Sequence, residues 1–209
     1  MLLVTSKYRR SPLAVAVLAL LQERPLHPYG VLALLKQRGK GEVINISQRA
    51  TVYKTVTRLA DAGLIKVGQT ERDQQYPERT LYELTDEGHA VLHDWMAEML
   101  VGGDPDYPEF PAALSFIMLI TPDEALPLLD RRLRHATQRL AALDAAIAEA
   151  QATPGLPPVA VLEVHYLRAM VDAEQTWLRH TVTELKDKRL DWSEDQLRAF
   201  AEAHSPNLD

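Results

Sequence analysis

Apolar and polar positions run along this chain in two periods, and the change of period marks out the elements. Leu13 to Leu21 is apolar almost without interruption, so the helix it predicts is apolar nearly all round and belongs inside a core. Ser11 and Pro12 precede it as N-cap and first-turn residue, and Arg24-Pro25 ends it. A second helix restarts at His27-Pro28, with Tyr29, Leu32 and Leu35 expected on one face and Lys36, Arg38 and Gly39 at its close. After GEVINI, Ser47 is the expected N-cap of a third helix that stops at Gly63. LIKVG and TLYEL then alternate at period two, about ten residues apart, which predicts a two-stranded hairpin. Thr85-Asp86-Glu87 opens a fourth helix over residues 86–100, its acids at the positive end of the helix dipole.

The third helix carries the candidate chemistry. Counting about 100° per residue, Val56 and Leu59 share the side of Val52, whereas Ala50, Thr51, Lys54, Thr57 and Arg58 lie opposite and Thr55 sits at the margin. Small, hydroxyl-bearing and cationic side chains with no carboxylate before Asp61 can approach the major groove and donate to bases and phosphates. The plain alternative is a solvated helix surface.

The second half follows a Gly/Pro-rich connector, GGDPDYPEFP, so the expected division is a first domain over 1–100, a connector over 101–110 and a second domain over 111–209. Leu126, Leu129, Leu133, Ala136, Leu140, Leu143 and Ile147 repeat at spacings of three and four, the seam of a coiled coil. TPGLPP turns the chain, and Val164, Leu167, Val171, Leu178, Val182 and Leu185 return as another long amphipathic helix. The seam can close within one chain as a helical hairpin or pack across a two-fold axis.

Composition narrows the classes. The chain has 209 residues, 46% of them hydrophobic and 25% charged, enough to bury a sizeable core. Without cysteine there are no disulfides, thiolate metal sites or cysteine nucleophiles, which fits a reducing compartment. The longest apolar run is about half of the roughly 20 residues that cross a bilayer, and the leading Leu2, Leu3 and Val4 precede Lys7, Arg9 and Arg10 in the reverse of a secretory signal. A cytoplasmic protein without a membrane span is expected. Net charge is −6, but residues 1–82 hold 13 Lys and Arg against 6 Asp and Glu, and the remainder holds 10 against 23. Such a split is expected where one part meets a polyanion.

Phosphate-binding glycine loops, GxSxG and HExxH are all missing from the sequence, so no enzyme is expected. His89 and His93, four apart on one helix, could join Asp86 around a metal, yet no fourth ligand is indicated and neither metal nor cofactor is expected. Trp95, Met96 and Met99 could line a flat apolar pocket near the centre of a dimer, or Trp95 could simply be packed against the C-terminal helices.

LALLQERPLHPYGVLALL, ATVYKTVTRLADAGLI and LYELTDEGHAVL, in this order and spacing, resemble the PadR family of bacterial transcriptional regulators over residues 12 to 98. Tyr29-Gly30 departs from the family pattern, which usually has Gly before Tyr, and MarR-like winged helices share the second half of the match. The resemblance implies a mainly α fold with a small β-hairpin wing: a winged helix-turn-helix domain followed by an all-α dimerisation domain. It implies a recognition helix from Gln48, with Gln48, Arg49, Thr51, Tyr53, Lys54 and Arg58 at the DNA and Arg72 and Arg79 on the wing. Three acids in TERDQQYPER leave the wing with a net charge of −1. The implied partners are double-stranded DNA, a second copy through the seam of Leu126, Leu129, Leu133, Leu140, Leu143 and Ile147, and a planar apolar effector. The rival reading is a winged-helix module that binds protein and has no DNA affinity.

Overall fold

In the computed structural model of the protein, which describes residues 9–71, 79–102 and 107–204, Ser11 opens the first helix as its sequence position requires. Its Oγ accepts the N–H of Ala14 at 3.2 Å, and α1 (Pro12–Glu23) buries Leu13, Ala14, Val17, Leu18 and Leu21 among others. The chain divides into two compact units, Met1–Asp104 and Pro105–Asp209, and α1 is the centre of the first.

His27 caps α2 (Pro28–Gln37) by accepting the N–H of Gly30 on Nδ1 at 2.8 Å. Val31, Leu32 and Leu35 face the core, but Tyr29 does not: it is 52% exposed and stacks on His27. The third helix, α3 (Arg49–Asp61), begins one residue later than expected. Gln48 is its N-cap, without a side-chain bond, because the Ser47 hydroxyl is spent on Asn45 Oδ1 at 2.7 Å. Val52, Val56 and Leu59 are buried, and so is Thr55.

The end of α3 is a Schellman turn. Gly63 adopts a left-handed φ of 77°, the Leu64 N–H reaches back to the Leu59 carbonyl at 3.0 Å and the Gly63 N–H to that of Ala60 at 2.9 Å. Antiparallel strands β1 (Ile65–Glu71) and β2 (Arg79–Leu84) follow, pairing Ile65 with Leu84 and Val67 with Tyr82. Leu26, between α1 and α2, exchanges both backbone hydrogen bonds with Tyr82, so the hairpin is tied to the first two helices. Thr85 starts α4 (Asp86–Val101): its Oγ1 accepts the Gly88 N–H at 3.0 Å and donates toward the Gly63 and Leu64 carbonyls at 2.8 and 3.0 Å. A Cβ on Gly88 would stand 2.0 Å from the Leu64 carbonyl oxygen. The G of YELTxxG is therefore a close-approach glycine that lets α4 lie on the end of α3.

Trp95 of α4 is 7% exposed within this first core, whereas Met96 and Met99 are 40% and 39% exposed. The indole is turned inward to pack, as the simpler reading of Trp95 has it, and the methionines stand on the outer side of the helix.

The second unit contains α5 (Glu109–Ser115), α6 (Pro122–Gln151), α7 (Leu162–Lys186) and α8 (Glu194–His204). A capping box starts α6, with Thr121 and Glu124 each accepting the other's N–H. The seam meets α7 of the same chain. Leu129, Ala136 and Leu143 are buried, and Leu126, Leu133 and Leu140 are packed beside them, against Val171, Leu178, Val182 and Leu185. Within one chain the stripe thus closes as a helical hairpin, with Leu126, Leu133 and Leu140 only half-buried. Residues 152–161 return the chain at once and lay α7 along the stripe. Ile147, nearest that turn, is half-buried. Buried Gln175 sets the register by donating to Thr137 Oγ1 at 2.9 Å, and Arg168 donates to Asp144 at 2.6 Å. Among the described residues no helix is long and apolar enough to cross a membrane.

Two substitutions test this packing. Gly88→Ala should lower unfolding free energy by about 1–3 kcal/mol, because the methyl must displace backbone rather than a flexible side chain. Leu178→Ala, at a fully buried hairpin position, should cost about 2–5 kcal/mol. Urea unfolding followed by circular dichroism measures both, and wild-type midpoints would refute these contacts.

Candidate nucleic-acid interface

The recognition surface is built by the same burial that anchors α3. With Val52, Thr55, Val56 and Leu59 turned inward, the opposite side chains Ala50, Thr51, Lys54, Thr57 and Arg58 are all exposed, together with Gln48 and Arg49 at the N-terminus. Among the described residues no acidic side chain pairs with Lys54 or Arg58. The face thus offers two available cations, two hydroxyls and a methyl. The Thr57 hydroxyl is donated to the Tyr53 carbonyl at 3.1 Å, so its lone pairs rather than its proton face outward.

Arg49 is held in place. Its Nη2 donates to the Tyr53 hydroxyl at 2.8 Å, and its guanidinium carbon lies 5.2 Å from the Tyr53 ring centroid and 5.5 Å from that of Tyr29. The bond to Tyr53 raises the Arg49 pKa above the ordinary arginine value, so its charge is permanent. Two aromatic rings reduce the rotamer freedom of the longest side chain on this face, which lowers the entropy lost when it grips a phosphate or a base edge.

Around Arg49 the chain forms a concave notch of about 440 Å³ lined by His27, Pro28, Tyr29, Tyr53, Thr80 and Tyr82. The Arg49–Tyr53 pair is readable from its i, i+4 spacing. His27, Tyr29 and Tyr82 are not, since α2 and β2 bring them there from remote parts of the chain. Of the sequence-predicted residues, Gln48, Arg49, Thr51, Tyr53, Lys54 and Arg58 share one surface, with Tyr53 half-buried at its edge. Arg79 opens β2 opposite Glu71 in the ladder, and Arg72 lies outside the described residues. His89 and His93 are exposed on α4, and no group of three His, Asp or Glu among the described residues is placed to hold a metal.

The chain is similar to known proteins over much of its length. Residues 17–94 match the model of the transcriptional regulator PadR-like family. The negative transcriptional regulator PadR of Bacillus subtilis (strain 168) is 27% identical over 131 residues, 63% of this chain and 70% of that protein. Among solved structures, Bacillus subtilis PadR in complex with operator DNA superimposes with a TM-score of 0.67 at 23% identity, covering 84% of this chain and 99% of that one. The same regulator in complex with p-coumaric acid gives 0.63 at 20% identity, over 85% and 99%. At such identities the structures establish the fold, a winged helix followed by a helical region. The winged-helix part of the chain, residues 17–94, is therefore similar to the transcriptional regulator PadR-like family, a family of transcriptional regulators.

Proposed function

We propose that the protein is a ligand-responsive repressor that binds a pseudo-palindromic operator as a homodimer in the bacterial cytoplasm. The observation that carries this reading is the outer face of α3, where Gln48, Arg49, Thr51, Lys54 and Arg58 stand exposed on a helix fixed by its buried side. Arg49 and Gln48, at the N-terminus, enter the major groove and read base edges, as the first residues of a recognition helix do. Lys54 and Arg58 neutralise phosphates. The related protein named a negative transcriptional regulator supports repression, and the neighbour solved with operator DNA supports the mode of binding.

Dimerisation follows from geometry: one recognition helix reads only a few base pairs, and a two-fold pair doubles the site with half-site centres about one helical turn, or a small multiple, apart. Because the α6 seam is covered within the chain, the surface proposed for the second copy is the outer side of α7. Leu162, Tyr166 and Met170, spaced four apart, are 64%, 64% and 55% exposed there. A contiguous apolar strip of this kind on a helical bundle is characteristic of an interface.

Lys54→Ala should weaken binding to all sequences alike and make the slope of log affinity against log salt shallower by about 1 for each phosphate contact removed, about 2 for a symmetric dimer. Arg49→Ala should instead change base preference, read by selection from a random operator library. A protein-binding module would show no salt-dependent DNA affinity at all, and wild-type behaviour of both variants would remove α3 as the reading helix. Met170→Glu should shift sedimentation toward the monomer and lose operator affinity together; a dimer that persists would move the interface elsewhere.

A further inference from the structure

The second unit contains a cavity separate from the DNA-binding face. It measures about 440 Å³ and lies between α5, the turn at Ile117–Leu119, the start of α6, the end of α7 and the segment leading to α8. Leu114, Ile117, Leu129 and Leu185 supply its apolar wall, and the indoles of Trp177 and Trp192 flank it. This size and lining suit a small aromatic guest, since ligand pockets run from about 300 to 1,000 Å³ with apolar walls and few polar groups.

Both indoles are fixed before any guest arrives. Trp192 donates its ring N–H to the Ile120 carbonyl at 2.8 Å, and Trp177 meets the edge of Phe110 at 6.0 Å between centroids. The segment carrying Trp192 is held as well. After α7 the chain turns through Lys188, at a left-handed φ of 55°, and Arg189 clamps the turn by donating to Glu184 at 2.8 Å and pairing with Asp187 at 2.6 Å.

The polar groups decide the charge of the guest. Thr181, Asp191 and Gln196 line the cavity, and no lysine or arginine does. Three cations nearby in the bundle are engaged elsewhere: Arg132 by Glu174 and the Phe110 ring, Arg189 by Glu184 and Asp187, and Lys186 by Asp130. Asp191 keeps a carboxylate at the rim, one oxygen of which accepts the Trp192 N–H at 3.0 Å. A carboxylate-bearing guest would meet a like charge there and no counter-ion. A flat cation would meet a carboxylate and two indoles in the wall.

We infer that this cavity is a binding site for a planar aromatic cation of two or three fused rings, and that it discriminates against aromatic carboxylates such as p-coumaric acid, the ligand solved with the Bacillus subtilis neighbour. The site is independent of the operator-binding reading, so it is tested without DNA. Proflavine, a protonated three-ring amine, serves as the cationic probe, acridone as the uncharged ring and p-coumaric acid as the anion, each titrated into the full chain by isothermal calorimetry.

Proflavine should bind one per chain, and p-coumaric acid should neither bind this site nor displace it. Asp191→Asn, at an exposed residue that leaves the wall intact, should weaken proflavine about tenfold and leave acridone unchanged. Met118→Trp, which fills the cavity from a residue 37% exposed, should abolish binding of both rings. Absence of proflavine binding, equal binding of p-coumaric acid, or affinity unaltered by both substitutions would each overturn the assignment. A change of oligomeric state in Met118→Trp, read by sedimentation, would place a second copy of the chain in the cavity and overturn it too.

Discussion

The winged-helix unit depends on one junction, where the end of α3, the start of β1 and the start of α4 meet. Gly63 takes the left-handed conformation that stops α3, and the Leu64 N–H closes the turn on Leu59. Thr85 then spends its hydroxyl twice, on the Gly88 N–H of its own helix and on the carbonyls of Gly63 and Leu64. Three elements lose their orphan backbone groups in one place, which is what a buried helix end requires. The absence of a Cβ at Gly88 allows the contact at all. Were this junction to loosen, the buried side of α3 would lose its footing and its outer side would lose its aim.

That coupling explains how a surface of ordinary side chains becomes directional. Lys54 and Arg58 are exposed and need no special chemistry, because their placement is decided on the other side of the helix by Val52, Val56 and Leu59. Arg49 is the exception. It is gathered between Tyr29 and Tyr53, so part of the entropy of ordering it is lost on folding and not on binding. The exchange of Gly and Tyr in HPYG acquires a physical sense here: Tyr29 is turned outward to Arg49, and Gly30 leaves its N–H to the His27 cap.

The helical unit shows the same economy with apolar surface. The continuous stripe of α6 is covered by α7, and the charged and polar pairs Arg168–Asp144 and Gln175–Thr137 set the antiparallel register. What stays apolar and exposed, on α7 and around Trp177 and Trp192, is thereby left for other molecules.

Local chemistry was legible in the sequence. The caps at Ser11 and Thr85, the stop at Gly63, the alternation of the hairpin and the three-four spacing of α6 all follow from backbone geometry over a few residues, and so does the split of α3 into a buried and an exposed side. Ser47 misled only because a competing acceptor, Asn45, lies two residues away. Spacing says that a stripe must be buried but not by what: a short connection made α7 the cover for Leu129 and Leu143, and no periodicity distinguishes that from a second copy. Likewise the inward turn of Trp95, the outward turn of Tyr29 and the placing of Trp177 and Trp192 around one cavity were decided by tertiary structure alone, because each depends on which distant side chain reaches a given volume first, and close packing admits one occupant per volume.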